Sequence, residues 1–315
     1  MWRLVAGGHA VTLFNRGRLP DTLGARVERL RGDRTTADFE RLLAGRSFDA
    51  AVDFAAYDGP DGQRAAAVLG GRISHYVVIS TGQVYLVREG CPRPAREGDY
   101  DGEVMPEPAD AFDRGQWDYG VKKRALEDAL AQAWSKSRFP ATRLRIPMVS
   151  GERDHFRRLE RYLWRMIDGG PVLLPGGGDR VTRHVYSGSV VKAILGMLGR
   201  SETFGKAYNL AQDETPTLRE LLGLVAERLG AEPRLADVPV ERVRAAGLDP
   251  LLLSPFSGSW MSFLDPGRAK AELGFRHEPL GSYLDKIVTS FLAHPPAEPP
   301  PGYESRAAEL ALAAG

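Results

Sequence analysis

The chain has one cysteine, Cys91, in a proline-rich stretch, among 315 residues. A lone thiol excludes an internal disulfide framework and fits a reducing, cytoplasmic compartment. No run approaches the roughly eighteen consecutive apolar residues of a membrane span, and no signal-peptide pattern opens the chain. No His/Cys spacing suggests a metal. Charge of either sign is not in excess: 42 Lys and Arg stand against 41 Asp and Glu, for a formal net charge of +1. The cations are nearly all arginine and lie scattered among acids, which speaks against a nucleic-acid footprint. No internal repeat is found.

What is present is an alternation of strand-like and helix-like runs, the pattern of parallel βαβ units and an α/β fold. Ala10–Phe14, Ala51–Ala56, Tyr76–Ile79 and Thr142–Ile146 are expected as buried strands. Gln63–Leu69, Phe156–Ile167 and Ser189–Leu198 are expected as helices. Thr217–Leu229 is a further helix, with Thr217 as N-cap and Glu220 completing a capping box. Arg88–Asp113 is rich in Pro, Gly and acid and is expected as a long active-site loop. Residues 1–150 would form one α/β domain, 151–293 a smaller α/β domain with some interleaving, and 294–315 a Pro-rich and Ala-rich tail.

Two motifs carry chemistry. Ser80-Thr81-Gly82-Gln83-Val84-Tyr85 follows the apolar run Tyr76–Ile79, and Tyr119-Gly120-Val121-Lys122-Lys123 opens a helical stretch about forty residues later. A Tyr and a Lys four apart share one helix face. There an ammonium can stabilise a phenolate and lower the tyrosine's pKa from about 10. A hydroxyl such as Thr81, at a strand's C-terminal end, can hold a substrate oxygen. Thr81, Tyr119 and Lys123 together suit proton transfer in alcohol–ketone chemistry.

These residues resemble the extended short-chain dehydrogenase/reductases, the superfamily of nucleotide-sugar epimerases and dehydratases. The matching stretches are Ile79-Ser80-Thr81 with Val84-Tyr85, Tyr119-Gly120 with Lys123 and Glu127, and Arg145-Ile146-Pro147. Gly176–Val185, Tyr208-Asn209-Leu210 and Asp265-Pro266-x-Arg268-Ala269 with Leu273-Gly274 extend the likeness along nearly the whole chain. The resemblance implies a doubly wound parallel, Rossmann-like sheet, a nicotinamide cofactor, a truncated dinucleotide-binding domain over 1–150, a smaller C-terminal substrate-binding domain over 151–293 and a homodimer. It also implies a first strand followed by Gly-x-x-Gly-x-x-Gly, which is not found here. Met1–Ala6 looks like the end of the first helix, with Gly7-Gly8 as its stop. Either the recorded start lies downstream by one βα unit or the chain is a truncated relative, and the intact Tyr119 and Lys123 favour the former. Loss of that central strand would expose its neighbours and make the chain prone to aggregate.

The resemblance further places Asn15, Arg16, Asp33, Arg34, Ala55, Ala56, Tyr57 and Pro147 at the cofactor. Relatives that use NAD usually carry an acid after the second strand. Arg16 and Arg18 stand there instead, which favours the 2′-phosphate of NADP, with NAD as the alternative. Gln83 and Arg180 are the substrate candidates. Gln83 occupies the region where dehydratases carry an Asp-Glu pair, so dehydration is disfavoured, and epimerisation or ketone reduction remains. Arg180 sits where nucleotide-sugar epimerases bind diphosphate, but a second expected arginine clamp is replaced by Pro255-Phe256-Ser257-Gly258. The stretch Pro255–Phe275 looks most like the chloroplast stem-loop-binding-protein subgroup, which makes an RNA-binding protein one alternative and an inactive scaffold another.

Overall fold

A computed structural model describes residues 1–314. Its first element is the short helix α1 (Trp2–Ala6), stopped at Gly7 and with no buried residue. The strands β1 (Thr12–Asn15) and β2 (Glu28–Arg31) pair in parallel, Thr12 opposite Glu28 and Asn15 opposite Arg31. Helix α2 (Asp38–Leu43), strand β3 (Phe48–Asp53), helix α3 (Gly59–Leu69) and strand β4 (Ile73–Thr81) follow. Next come the one-turn helix α4 (Gln83–Leu86), the long helix α5 (Ala111–Ser137) and strand β5 (Ala141–Ile146).

The central sheet has the order β3-β4-β5-β9, where β9 is Ala207–Asn209, and each pairing is parallel. Its middle strand β4 is apolar on both faces because helices cover both sides, as parallel sheets require. On one side α3 and α5 pack through Ala65, Leu69, Leu126 and Leu130. On the other, α7 (Ser187–Met197) packs Val190, Ile194 and Met197 against Val77 and Leu144. The β1–β2 pair is a separate ladder. β1 and β3 therefore each present one edge without a strand partner among the described residues, and β3 has no fully buried residue.

The second half of the chain forms its own core. Helices α6 (Arg158–Ile167), α8 (Leu218–Leu229) and α12 (Leu280–Ala293) enclose Tyr162, Leu163, Leu222, Val225, Tyr283 and Ile287. Strand β7 (Val172–Pro175) pairs with β10 (Leu235–Val238), and β6 (Met148–Ser150) with β8 (His184–Tyr186). The short helices α9 (Val240–Ala245) and α10 (Pro250–Leu253) pack beside β7 and β10, and α11 (Gly267–Leu273) returns to the central sheet beside β9 and α7. The expected capping box of α8 is formed: Thr217 Oγ1 accepts from Glu220 N at 3.1 Å, and Glu220 accepts from Thr217 N at 2.8 Å.

Three expectations change. Tyr119 does not open a helix. α5 begins eight residues earlier, where the Asp110 carboxylate accepts from Phe112 N and Asp113 N, so Tyr119 stands two turns inside a rigid element. The segment before it is pinned rather than free: Arg124 donates to Val84 O and Tyr100 O, and Trp117 Nε1 donates to Met105 O. The Ala-rich C-terminus forms α13 (Arg306–Ala314), fastened to α6 by the fully buried pair Arg165–Glu309.

Two buried histidines make the fold acid-sensitive. His75 and His184 are held neutral by burial, with pKa values lowered to about 4 and about 3, and Arg158 adds to the effect at His184. The unfolded chain takes up these protons near pH 6.5, so the stability is fully present above that pH and is lost as pH falls from 6.5 towards 4 and 3. On the order of 2 kcal/mol per histidine should disappear between pH 7 and pH 5. Urea unfolding at those two pH values should show it, and replacing His184 with an apolar residue that leaves the fold intact should shrink the difference.

Candidate active site

The end of β4 is where the chemistry-bearing residues meet. Ser80 and Thr81 are the last residues of the strand, opposite Arg145 and Ile146 of β5. The chain then turns at Gly82, whose N–H donates to Ile146 O at 2.9 Å. A β-carbon at Gly82 would lie 2.2 Å from Ser262 Oγ, so only glycine lets the 260–264 segment close over this turn. That segment is held by Trp260 Nε1, which donates to Asp113 at 2.8 Å, and by Arg183, which donates to Leu264 O and stacks on Phe263.

Helix α5 crosses the same point. Gly120 permits the approach: its β-carbon would meet Val87 at 2.5 Å and the Gln83 carbonyl oxygen at 2.9 Å. Gln116, Tyr119 and Lys123 follow one another at three- and four-residue steps, so they form one row on the helix. Gln83 Nε2 donates to Gln116 Oε1 at 2.7 Å. The Tyr119 phenol is half-buried, feels the nearby Thr81 hydroxyl, and lies against Tyr57 with ring centroids 5.4 Å apart. Thr81, Gln83, Tyr57 and Tyr119 are thus brought together.

Lys123 behaves differently from the expectation drawn from its spacing. Its ammonium donates to Ala56 O at 2.7 Å and to Ile79 O at 3.0 Å, and it is not among the groups that act on the phenol. Burial pushes the Tyr119 phenol up from its ordinary value, and the nearby Thr81 hydroxyl offsets this only in part. Burial also lowers the Lys123 ammonium, against the pull of Asp53 and Glu127. Of its three N–H donors two are occupied, which leaves one for a ligand oxygen.

The cofactor candidates divide. Arg16 lies 3.7 Å from the Asp33 carboxylate, both partly open to solvent, and Arg18 also acts on Asp33. The Asn15 amide oxygen is taken by Arg31 and by Gly17 N. The Arg34 guanidinium is bound by Asp53 at 2.7 Å and Asp61 at 3.1 Å, and its Nη2 is buried without a hydrogen-bond partner. Asp53 also accepts from Ala55 N, Ala56 N and Tyr76 Oη, which shapes the Ala55-Ala56-Tyr57 turn beside Lys123. Pro147 is buried just after β5. Arg180 is exposed, and its guanidinium makes no ion pair or hydrogen bond among the described residues. Its carbonyl accepts from Leu218 N at the start of α8.

Gln116, Asp113, Trp260 and Ser262 were not singled out from sequence. Gln116 had a usable signal, one helical turn before Tyr119. The 260–264 segment had none, since its approach to Gly82 spans about 180 positions of chain.

Comparison with known proteins fits this geometry. Residues 65–211, which include β4, the turn after it and all of α5, match the NAD dependent epimerase/dehydratase family. The chain is 25% identical over 243 residues to 2′-dehydrokanamycin reductase of Streptomyces kanamyceticus, covering 76% of this chain and 65% of that protein. It is 22% identical over 249 residues to the chloroplast stem-loop binding protein of 41 kDa b of Arabidopsis thaliana, covering 74% of this chain and 60% of that protein. The matches therefore span less than two thirds of the length of either relative. UDP-glucose 4-epimerase of Thermotoga maritima, solved with UDP-glucose, shares the fold with a TM-score of 0.71 at 19% identity, over 92% of this chain and 93% of that one. The chain thus shares its parallel α/β fold with a solved epimerase, and its residues 65–211 match the NAD dependent epimerase/dehydratase family.

Proposed function

We propose that this chain is a nicotinamide-dependent enzyme that reduces a ketone, or epimerises through one, on a sugar-like substrate. The observation that carries the proposal is Tyr119, set two turns inside α5 and facing Thr81 at the end of β4. Burial keeps the phenol protonated at neutral pH, so the resting site is a proton donor, as ketone reduction needs. Thr81 holds the substrate oxygen in place, and Lys123 uses its free donor to orient the ligand beside Tyr119. Gln83 and Gln116 are neutral amides, so they bind hydroxyls without serving as acid or base. This favours reduction or epimerisation over elimination of water.

The residues at the two ends of the site suit a dinucleotide. Asp33, Arg16 and Arg18 offer an acceptor and two cations at one end, and Lys123 keeps an unused donor at the other. When bound, a nicotinamide supplies or accepts the hydride. The exposed guanidiniums favour the 2′-phosphate form. The kanamycin-related reductase supports an amino-sugar ketone as substrate class, and the epimerase fold-relative supports a nucleotide sugar. Arg180, solvent-exposed in the turn between β7 and β8, gives the second little help. An RNA-binding role finds less support, since Arg34, Arg124, Arg145 and Arg183 are all engaged within the fold.

Thermal-shift titration with NADPH, NADH and their oxidised forms tests this reading. At a hundredfold excess over Kd the preferred form should add about 2.7 kcal/mol of stability. The effect should be larger for the phosphorylated pair and should lose that preference in Arg16→Ala. No stabilisation by any of the four would overturn the proposal.

A further inference from the structure

Beneath the candidate site lies a buried ionic cluster that proton transfer does not itself use. Glu127 is on α5, one turn beyond Lys123 and two beyond Tyr119, and is fully buried. Its carboxylate accepts from Arg145 Nη2 at 2.6 Å, from Arg145 Nε at 3.0 Å and from Ser80 Oγ at 2.5 Å. Ser80 directly precedes Thr81, and Arg145 is its partner across the β4–β5 ladder. One carboxylate thus joins the helix that carries Tyr119 and Lys123 to the strand that carries Thr81. Arg145 extends the tie: its Nη1 donates to Tyr85 Oη at 2.6 Å, and that hydroxyl donates to Asn209 of β9 at 2.9 Å.

Such a pair gives little net stability, because removing both charges from water costs about as much as their attraction returns. What it does provide is direction. The carboxylate and guanidinium are planar, and with their hydrogen bonds satisfied they tolerate little sliding or rotation of α5. An apolar contact at the same place would be non-directional.

We propose that Glu127 and Arg145 are positioning residues that set the location of Lys123 and Tyr119 relative to Thr81. The inference rests on the functional reading above for its purpose, but its test does not. The charged groups that act on Lys123 are Asp53 on β3, Glu127 on α5, Arg34 after β2 and Asp61 on α3. Of these, Glu127 alone shares the helix of Lys123.

The chain has seven lysines, so selective 15N-lysine labelling can resolve the buried Lys123 ammonium. The double variant Glu127→Leu/Arg145→Met removes both charges together and should unfold near the parent temperature. In that folded protein the Lys123 ammonium signal should shift and broaden as its fixed contacts to Ala56 O and Ile79 O loosen, while the other lysine signals stay in place. A merely structural pair would change the unfolding temperature and, through the lost charge alone, the pH at which the signal vanishes, but would leave its line width as in the parent, and that result overturns the proposal. Should the double variant not fold, Ser80→Ala removes only the strand's hydrogen bond and must move the same signal in the same sense. An unmoved signal there also overturns it. If the parent protein binds no nicotinamide, the functional reading fails, while the lysine signal still decides the positioning role.

Discussion

Replacing Tyr119 by phenylalanine should lower nicotinamide-linked turnover by about 10²- to 10⁴-fold, the usual contribution of a positioned proton donor. The ring would remain against Tyr57, so folding and cofactor-induced stabilisation should be retained. The assay follows NADPH oxidation with keto derivatives of amino sugars and of nucleotide sugars. The pH dependence has a definite sign. Because burial raises the phenol's pKa, reduction should be flat around neutrality and fall as pH rises through that value. The reverse oxidation needs the phenolate and should rise over the same range. Unchanged turnover in Tyr119→Phe would remove Tyr119 from the chemistry.

The second large effect concerns stability. Arg165→Leu should cost about 3–5 kcal/mol, because it strands a carboxylate in the interior. Glu309 is fully buried and accepts from Arg165 Nε at 2.8 Å. Arg306 also reaches Glu309, at 2.9 Å, but it is shared with Asp168 at 2.6 Å. Arg165 further donates to Gly302 O, so its loss should release α13 and the turn before it together. Urea unfolding gives the energy, and limited proteolysis between residues 294 and 305 reports the release. The paired change Arg165→Leu/Glu309→Leu should recover much of the loss, since no unpartnered charge remains. A single variant as stable as the parent would show that the C-terminal helix is not anchored through this pair.

Much of the fold was legible in the amino-acid order because its signals are local. The apolar run Tyr76–Ile79 has no choice but burial on both faces, which makes it a central parallel strand. Thr217 and Glu220 are three residues apart, and their reciprocal capping needs nothing beyond those few residues. Tyr119 and Lys123 share a helix face wherever that helix lies. The Ala-rich C-terminus was harder to place, because the arginine that fastens it is 144 residues away.

Tertiary structure decided what those side chains do. Spacing alone put Lys123 beside the phenol, yet the carbonyls of Ala56 and Ile79 hold its ammonium, and burial sets the phenol's acidity instead. Arg34, a cofactor candidate, meets Asp53 and Asp61 from a neighbouring strand and helix, which spacing along the chain does not reveal. The sequence by itself determined the parallel α/β architecture and the helix that carries Tyr119 and Lys123 on one face, because periodicity and spacing within one element need no long-range information. Which partner each buried charge meets was decided only when distant strands came together, since a charge in a low-dielectric interior takes whatever donor or acceptor the packing places within reach.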